Sequence, residues 1–391
     1  MKPVRRLGRT LLLTVAVAVA VLAAVAGCGR QRPAPVTPAM PTFRGLWITR
    51  WDYLTRQDVE RSLDEAARLG VTDVFFQVRG QADAFYRSEL EPWGHQLGGG
   101  DPGYDPLAVA VARAHARGLR LHAWINVYPL WKGAEPPADA AHPWRRHPGW
   151  RLHDQDGAAQ ALNEYYVVAD PTHPEVADHI VAVARDLCTR YEIDGLHLDY
   201  VRFVGELLDG GVWPADAAAL ARWRAVGGLG ALDTEDDRQA HRAWVRDCIT
   251  GLVARLAADC RAARPGLEMS AAVLRNPEIA RETYLQDGAA WVRDGHLDRV
   301  LPMIYTADAA AFDADLAAWR GAVPADRLAP GIGVYKHAPG DLAPQLRLCA
   351  DTGGWSLFAY SSLLESANPE QDRSREARDT RRDLRRELDL P

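Results

Sequence analysis

The sequence predicts an α/β protein, a (β/α)8 TIM barrel forming one domain with long strand-to-helix loops. Three observations predict it. Eight short apolar runs rich in β-formers recur at 43–49, 73–79, 120–126, 195–200, 268–273, 299–305, 328–334 and 353–360. Amphipathic stretches separate them at 55–69, 105–117, 174–191, 238–263, 308–320 and 341–350. The three long connections, 80–104, 127–173 and 201–237, each follow a run, whereas the helix-to-strand links are short. Strands alternating with helices indicate a parallel sheet. Eight is the count that closes a barrel. Elaboration on the strand-to-helix side marks the face where barrel enzymes keep their chemistry. The competing fold is a doubly wound open sheet. It brings a Gly-rich phosphate turn after the first strand, and none stands there. Gly98, Gly99 and Gly100 lie far from a strand end and read as a flexible loop.

The elements follow in order. Residues 2–9 are basic, and 11–26 are apolar apart from Thr14. Sixteen residues fall short of the ~20 a bilayer span needs, so 1–27 read as a secretory signal. It ends Val25-Ala26-Gly27-Cys28, which resembles a bacterial lipobox, with Cys28 as the lipidated residue. Gly29 after it leans towards the outer membrane if the host is Gram-negative. Residues 28–42 hold Pro33, Pro35, Pro38 and Pro41, a stiff tether. The barrel is expected over 43–365 and a charged helix over 366–391. Within the barrel, 55–69 place Val59, Leu63, Ala66 and Ala67 on one face. Asp105-Pro106 and His173-Pro174 read as helix starts. Gly70 and Gly118 read as helix ends.

Composition bounds the function. The chain has 391 residues, 48% hydrophobic and 25% charged, which excludes a disordered chain, a collagen and a small disulfide scaffold. Four of its 46 basic residues and none of its 52 acidic residues lie in 1–27, so the remainder carries −10. Such a domain is a poor binder of nucleic acid through bulk charge. Cys188, Cys248, Cys260 and Cys349 show no metal or redox spacing, and buried free thiols are expected, with one bridge left open. His142, His147 and His153 cluster in the third loop without ligand spacing. No cofactor, no metal and no obligate protein partner are expected; a metal-dependent deacetylase-like hydrolase is the disfavoured alternative.

Strand ends supply the candidate site residues. These are Gln77 and Arg79; Trp124 and Asn126; His197, Asp199, Tyr200 and Arg202; Tyr305; and Trp355 and Tyr360. Asp199 closes an apolar run and aims a carboxylate at the barrel mouth, where it can act as nucleophile, base or acid. Its alternative is a structural ion pair with Arg202. His197 either orients Asp199 or is a core histidine. Ordinary glycoside hydrolysis needs a second carboxylate. Asp308, Asp170 and Glu206 are the candidates, and Asp308 and Asp170 are equally readable as helix caps or turn residues. Trp51, Trp93, Trp131, Trp144, Trp150 and Trp213 fall in the top loops and point to a sugar ligand, or to loop anchoring.

The segments FRGLWITRWDY, RGLRLHAWINVY, HPGWRLHDQDG, VVADPTHPEVADHI, YEIDGLHLDYVRF, LDRVLPMIYTAD and GGWSLFAYSSL, taken together and in order, resemble the bacterial glycosyl-hydrolase-like family 10. The resemblance implies a TIM-barrel glycosidase, often a secreted lipoprotein, acting on peptidoglycan strands stripped of stem peptides. It carries over the fourth-strand acid, Asp199, and matches Asn126, Asp170 and Tyr305 to cleft positions. Relatives often bear two consecutive acids where this chain has Asp199-Tyr200. A more distant likeness to glycoside hydrolase family 18 aligns Met303 and Tyr305. In that alignment Val201 replaces the catalytic glutamate. The expected function is a glycoside hydrolase of a β-linked envelope glycan, lipid-anchored at Cys28 after secretion. The alternatives are a glycan-binding lipoprotein without activity and a hydrolase of a secreted exopolysaccharide.

Overall fold

The structure is a computed structural model describing residues 43–207, 211–229 and 232–388. The leader, Cys28 and the tether lie outside the described residues, as does the side chain of Glu206. Eight parallel strands close a barrel. They are β1 (Phe43–Ile48), β2 (Asp73–Arg79), β3 (Arg120–Asn126), β6 (Gly195–Asp199), β7 (Glu268–Leu274), β8 (Arg299–Ile304), β9 (Gly331–Gly333) and β10 (Gly354–Phe358). Each expected run holds one of them. A hairpin, β4 (Pro129–Gly133) and β5 (Asn163–Val168), was not anticipated; it is an antiparallel pair inside the long loop that follows β3.

Helices fall between strands as expected. They include α1 (Arg56–Arg68), α2 (Pro106–Ala116), α3 (Pro143–Arg146), α4 (Pro174–Arg190), α5 (Ala217–Ala225), α6 (Glu235–Ala263), α7 (Pro277–Thr283), α8 (Gly288–Arg293), α9 (Ala309–Ala322), α10 (Leu342–Leu348) and α11 (Arg375–Arg386). Their starts are chemically marked. Thr55 and Asp58 form a reciprocal capping box on α1. Asp105 accepts from Ala108 N ahead of Pro106. The described residues pack as one unit.

Period-two alternation splits the apolar residues between two cores. Phe43, Trp47, Phe75, Trp124 and Leu301 fill the barrel interior. Leu46, Ile48, Val74, Phe76, Leu196 and Leu198 point outward against the helices. Each large buried side chain contributes about 1.5–3 kcal/mol. The bottom of the barrel is laced by charge. Asp73 meets His122 at 2.9 Å, and Glu268 meets Arg120 at 2.8 Å and Arg299 at 3.1 Å. The top is left to the long loops. The four thiols are free.

Candidate active site

The site begins with β6. Its alternation turns Leu196 and Leu198 to the helices and His197 and Asp199 to the interior. Asp199 ends the strand and is 6% exposed. Its Oδ1 accepts from Tyr200 N at 2.6 Å and from Arg202 Nη1 at 2.9 Å. Among the described residues no hydrogen bond reaches Oδ2. The ion pair with Arg202 therefore exists, and it holds one oxygen while leaving the other free. Tyr200 takes φ +50°, the left-handed region that costs a non-glycine residue about 1–2 kcal/mol. That turn brings Arg202 back over its own strand end, with its guanidinium 4.4 Å from the centre of the Tyr200 ring.

Tyr305 stands one residue past β8. Burial pushes its phenol well above the ordinary range, and the charge of Asp199 adds to this. Its ring stacks on Phe358 at 5.2 Å, and Tyr335 stands edge-on to both. Glycine at 333 makes this possible, since a Cβ there would lie 2.8 Å from that of Tyr305. Trp51, His95, Trp131 and His142 form a second aromatic run, with successive centroids 6.1, 5.9 and 5.2 Å apart. Trp124 donates to Asn126 Oδ1 at 3.1 Å. Asn126 pairs in register with Asp199 on the neighbouring strand. Its amide donates to Gly80 O at 3.0 Å and to the Tyr166 hydroxyl at 3.5 Å. Arg50 Nη2 donates to the same hydroxyl at 3.1 Å. Gln77 is buried, and its Oε1 accepts from Arg50 N at 3.1 Å.

Several expected ligands do other work. His197 is a core histidine: its Nε2 accepts from Trp47 Nε1 at 3.1 Å, so Nδ1 carries the hydrogen towards Ser270 Oγ at 2.9 Å. Burial pushes this imidazole well down, and it is neutral. Arg79 does not face substrate. It is buried against Glu91 at 2.7 Å and donates to the carbonyls of Asn126 and Val127. Burial would raise the Glu91 carboxyl, but Arg79 and His179 bring it down to about 2. Trp355 points outward into the helix-facing core, because β10 turns Phe358 inward instead. Tyr360 lies beyond the strand in a short turn, buried, with its hydroxyl donating to Glu65.

The other carboxylates are also engaged. Asp308 is exposed and caps α9, accepting from Ala310 N at 2.8 Å and Ala311 N at 3.2 Å. Asp170 is buried, accepts from Thr172 N at 2.8 Å and Thr172 Oγ1 at 2.7 Å, and pairs with Arg222. Burial still raises its carboxyl. Neither shares a hydrogen bond with Asp199 among the described residues. Of the tryptophans, Trp150 is an anchor stacked on His147 at 3.9 Å, and Trp144 carries Arg151. Trp213 is partly buried against the helix-facing core. His142, His147 and His153 take separate partners, in Gln81 O, Trp150 and Asp216. Tyr166 and Phe358 were not anticipated as site residues. The aromatic and β-branched run YYVV at 165–168 was the available signal for the first.

A closed parallel barrel with a strand-end carboxylate and aromatic walls at its C-terminal mouth has the place and the groups that glycoside hydrolysis uses, on a fold that hosts many chemistries. The comparisons agree. Residues 42–327 match the family described as Glycosyl hydrolase-like 10, and the chain belongs to that family. It is 30% identical over 302 residues to glycosyl hydrolase YngK of Bacillus subtilis, covering 71% of this chain and 54% of that one, so it spans about half of that relative. It is 26% identical over 359 residues to glycosyl hydrolase DigH of Escherichia coli K12, covering 79% and 76%. The glycoside hydrolase domain of PgaB from Bordetella bronchiseptica has the same fold, with a TM-score of 0.61 and 14% identity over 81% of this chain and 94% of that one. So does α-L-fucosidase isoenzyme 2 of Paenibacillus thiaminolyticus, with a TM-score of 0.60 and 16% identity over 88% and 48%.

Proposed function

We propose that the protein is an envelope-anchored glycoside hydrolase that cleaves β-linked glycan, with peptidoglycan strands freed of stem peptides as its substrate. The observation that carries this is Asp199: a strand-end carboxylate at the barrel mouth with one oxygen fixed by Arg202 and Tyr200 and the other without a hydrogen bond among the described residues. Asp199 acts as the nucleophile or base at the anomeric carbon. Tyr200, Tyr305 and Asn126 surround the sugar. Of the remaining acids, Asp170 fits the proton donor better, because burial raises its carboxyl, the condition a general acid needs. Asp308 is occupied as a helix cap. The signal over 1–27 and Cys28 support secretion and lipid anchoring.

A specific observation favours a second reading, a glycan-binding lipoprotein without hydrolysis. Two of the three candidate partner acids are already engaged, Asp170 by Arg222 and Asp308 by its helix, and the side chain of Glu206 lies outside the described residues. Incubating the protein with denuded peptidoglycan, intact peptidoglycan and exopolysaccharides separates the readings. Hydrolysis of denuded strands is expected, and Asp199→Asn is expected to lower turnover on the order of 10³-fold or more. Unchanged turnover in that variant removes Asp199 from the chemistry. Binding without product establishes the second reading.

A further inference from the structure

Tyr166 carries an unusual hydrogen-bond balance. A phenol oxygen has one donor hydrogen and two acceptor positions. Arg50 Nη2 donates to it at 3.1 Å and Asn126 Nδ2 at 3.5 Å. Guanidinium and amide nitrogens only donate. Both acceptor positions are therefore taken, and the hydroxyl can act towards anything else only as a donor. Among the described residues no group accepts its hydrogen.

The surroundings place that hydrogen. Asn126 is paired in register with Asp199, and both side chains face the barrel interior. The Tyr166 ring meets the edge of Tyr200, the residue after Asp199, at 4.8 Å. Tyr166 itself hangs from β5, in the hairpin between the third strand and α4. Behind it, Arg50 is 2% exposed, and its side chain makes no other hydrogen bond among the described residues. A buried cation donating to a hydroxyl polarises the O–H and strengthens it as a donor.

We infer that Tyr166 is the donor of a subsite that recognises the carbonyl oxygen of a 2-acetamido group, next to Asp199 in the proposed glycan cleft. The complementary group must accept without donating. Sugar hydroxyls do both. A carboxylate accepts too, but it is matched by a guanidinium fork, and those of Arg50 and Arg202 are already committed to Tyr166 and Asp199. An amide carbonyl accepts only. The subsite rests on the glycan-cleaving reading above and assigns the residue that reads the N-acetyl groups of that substrate.

Binding tests the subsite independently of turnover. Asp199→Asn protein is titrated with a β-1,4-linked tetrasaccharide of N-acetylglucosamine and with its fully de-N-acetylated counterpart. The double variant Asp199→Asn/Tyr166→Phe is titrated with both. Removing only the hydroxyl is expected to weaken the N-acetylated ligand by ~10-fold and to leave the de-N-acetylated one unchanged. A purely structural role would weaken both equally, and that result overturns the assignment. So does an unchanged affinity for the N-acetylated ligand, or binding of neither ligand before Tyr166 is altered. Failure of the hydrolytic reading is seen separately, as absence of product from the unaltered protein.

Discussion

Asp199 and Asp170 are both acids near the barrel mouth, but their oxygens are committed differently. Asp170 accepts from two groups of Thr172 and pairs with Arg222. Asp199 is held through Oδ1 alone. That difference leaves Asp199 an oxygen open to substrate among the described residues, whereas Asp170 has to exchange one of its present contacts to deliver a proton. Burial acts most plainly on the histidines. His241 is fully buried between Trp223 and Trp244, and burial pushes its imidazole down to about 4. The folded state therefore refuses a proton that the unfolded chain takes up below about pH 6.5. Above that pH the residue adds no pH dependence to stability. As pH falls below it the unfolded state gains, so stability is lost, reaching about 2 kcal/mol at pH 5 from this residue. His241→Leu is expected to remove that share of the acid sensitivity. Urea unfolding at pH 7.5 and pH 5 checks it: the difference between the two pH values should shrink by about 2 kcal/mol relative to the unaltered protein.

At the scale of elements, Arg79 ties the upper loops together. From the end of β2 it binds Glu91 in the following loop, which His179 of α4 also contacts, and it reaches two carbonyls after β3. Removing one partner of a buried pair strands the other charge, at a cost of about 3–5 kcal/mol. Arg79→Met should therefore lower the unfolding midpoint sharply, and adding Glu91→Gln should restore much of the loss. Chemical denaturation of the single and double variants measures this; equal stabilities for both would contradict it. The same residue shows what sequence conceals. The eight strands were legible because alternation and spacing are local. So were the helix starts at Asp105-Pro106 and His173-Pro174. Glu91 lies twelve residues from Arg79 inside a loop, and no periodicity links them. Trp355 and Tyr360 were misassigned for a related reason. The inward phase of β10 is set by its barrel neighbours, and the strand ends before Tyr360. The hairpin carrying Tyr166 was missed because register shifts interrupt it. Asp199 was legible because an acid closing an apolar run stands out.

At the scale of the whole molecule, the formal charge of −6 combines a basic leader and a −10 remainder. An acidic domain has no long-range attraction for an anionic polymer. Proximity then has to come from elsewhere, and the proposed anchor at Cys28 supplies it. The residues 28–42 contain Pro33, Pro35, Pro38 and Pro41. Fifteen residues at the polyproline rise of about 3.1 Å per residue would span at most about 45 Å. A barrel anchored as proposed would sample only the glycan nearest its membrane, at an effective concentration set by the tether. Cys28→Ala should block lipid attachment and release the protein from the membrane fraction. Its turnover of soluble glycan should stay unchanged, because the site lies in the barrel. Its action on glycan in intact cells should fall. Metabolic labelling with a radiolabelled fatty acid, followed by fractionation, reads the first effect, and glycan release from cells against release in solution reads the second. Retention of label and membrane association in Cys28→Ala would show that the chain is held by something other than this cysteine.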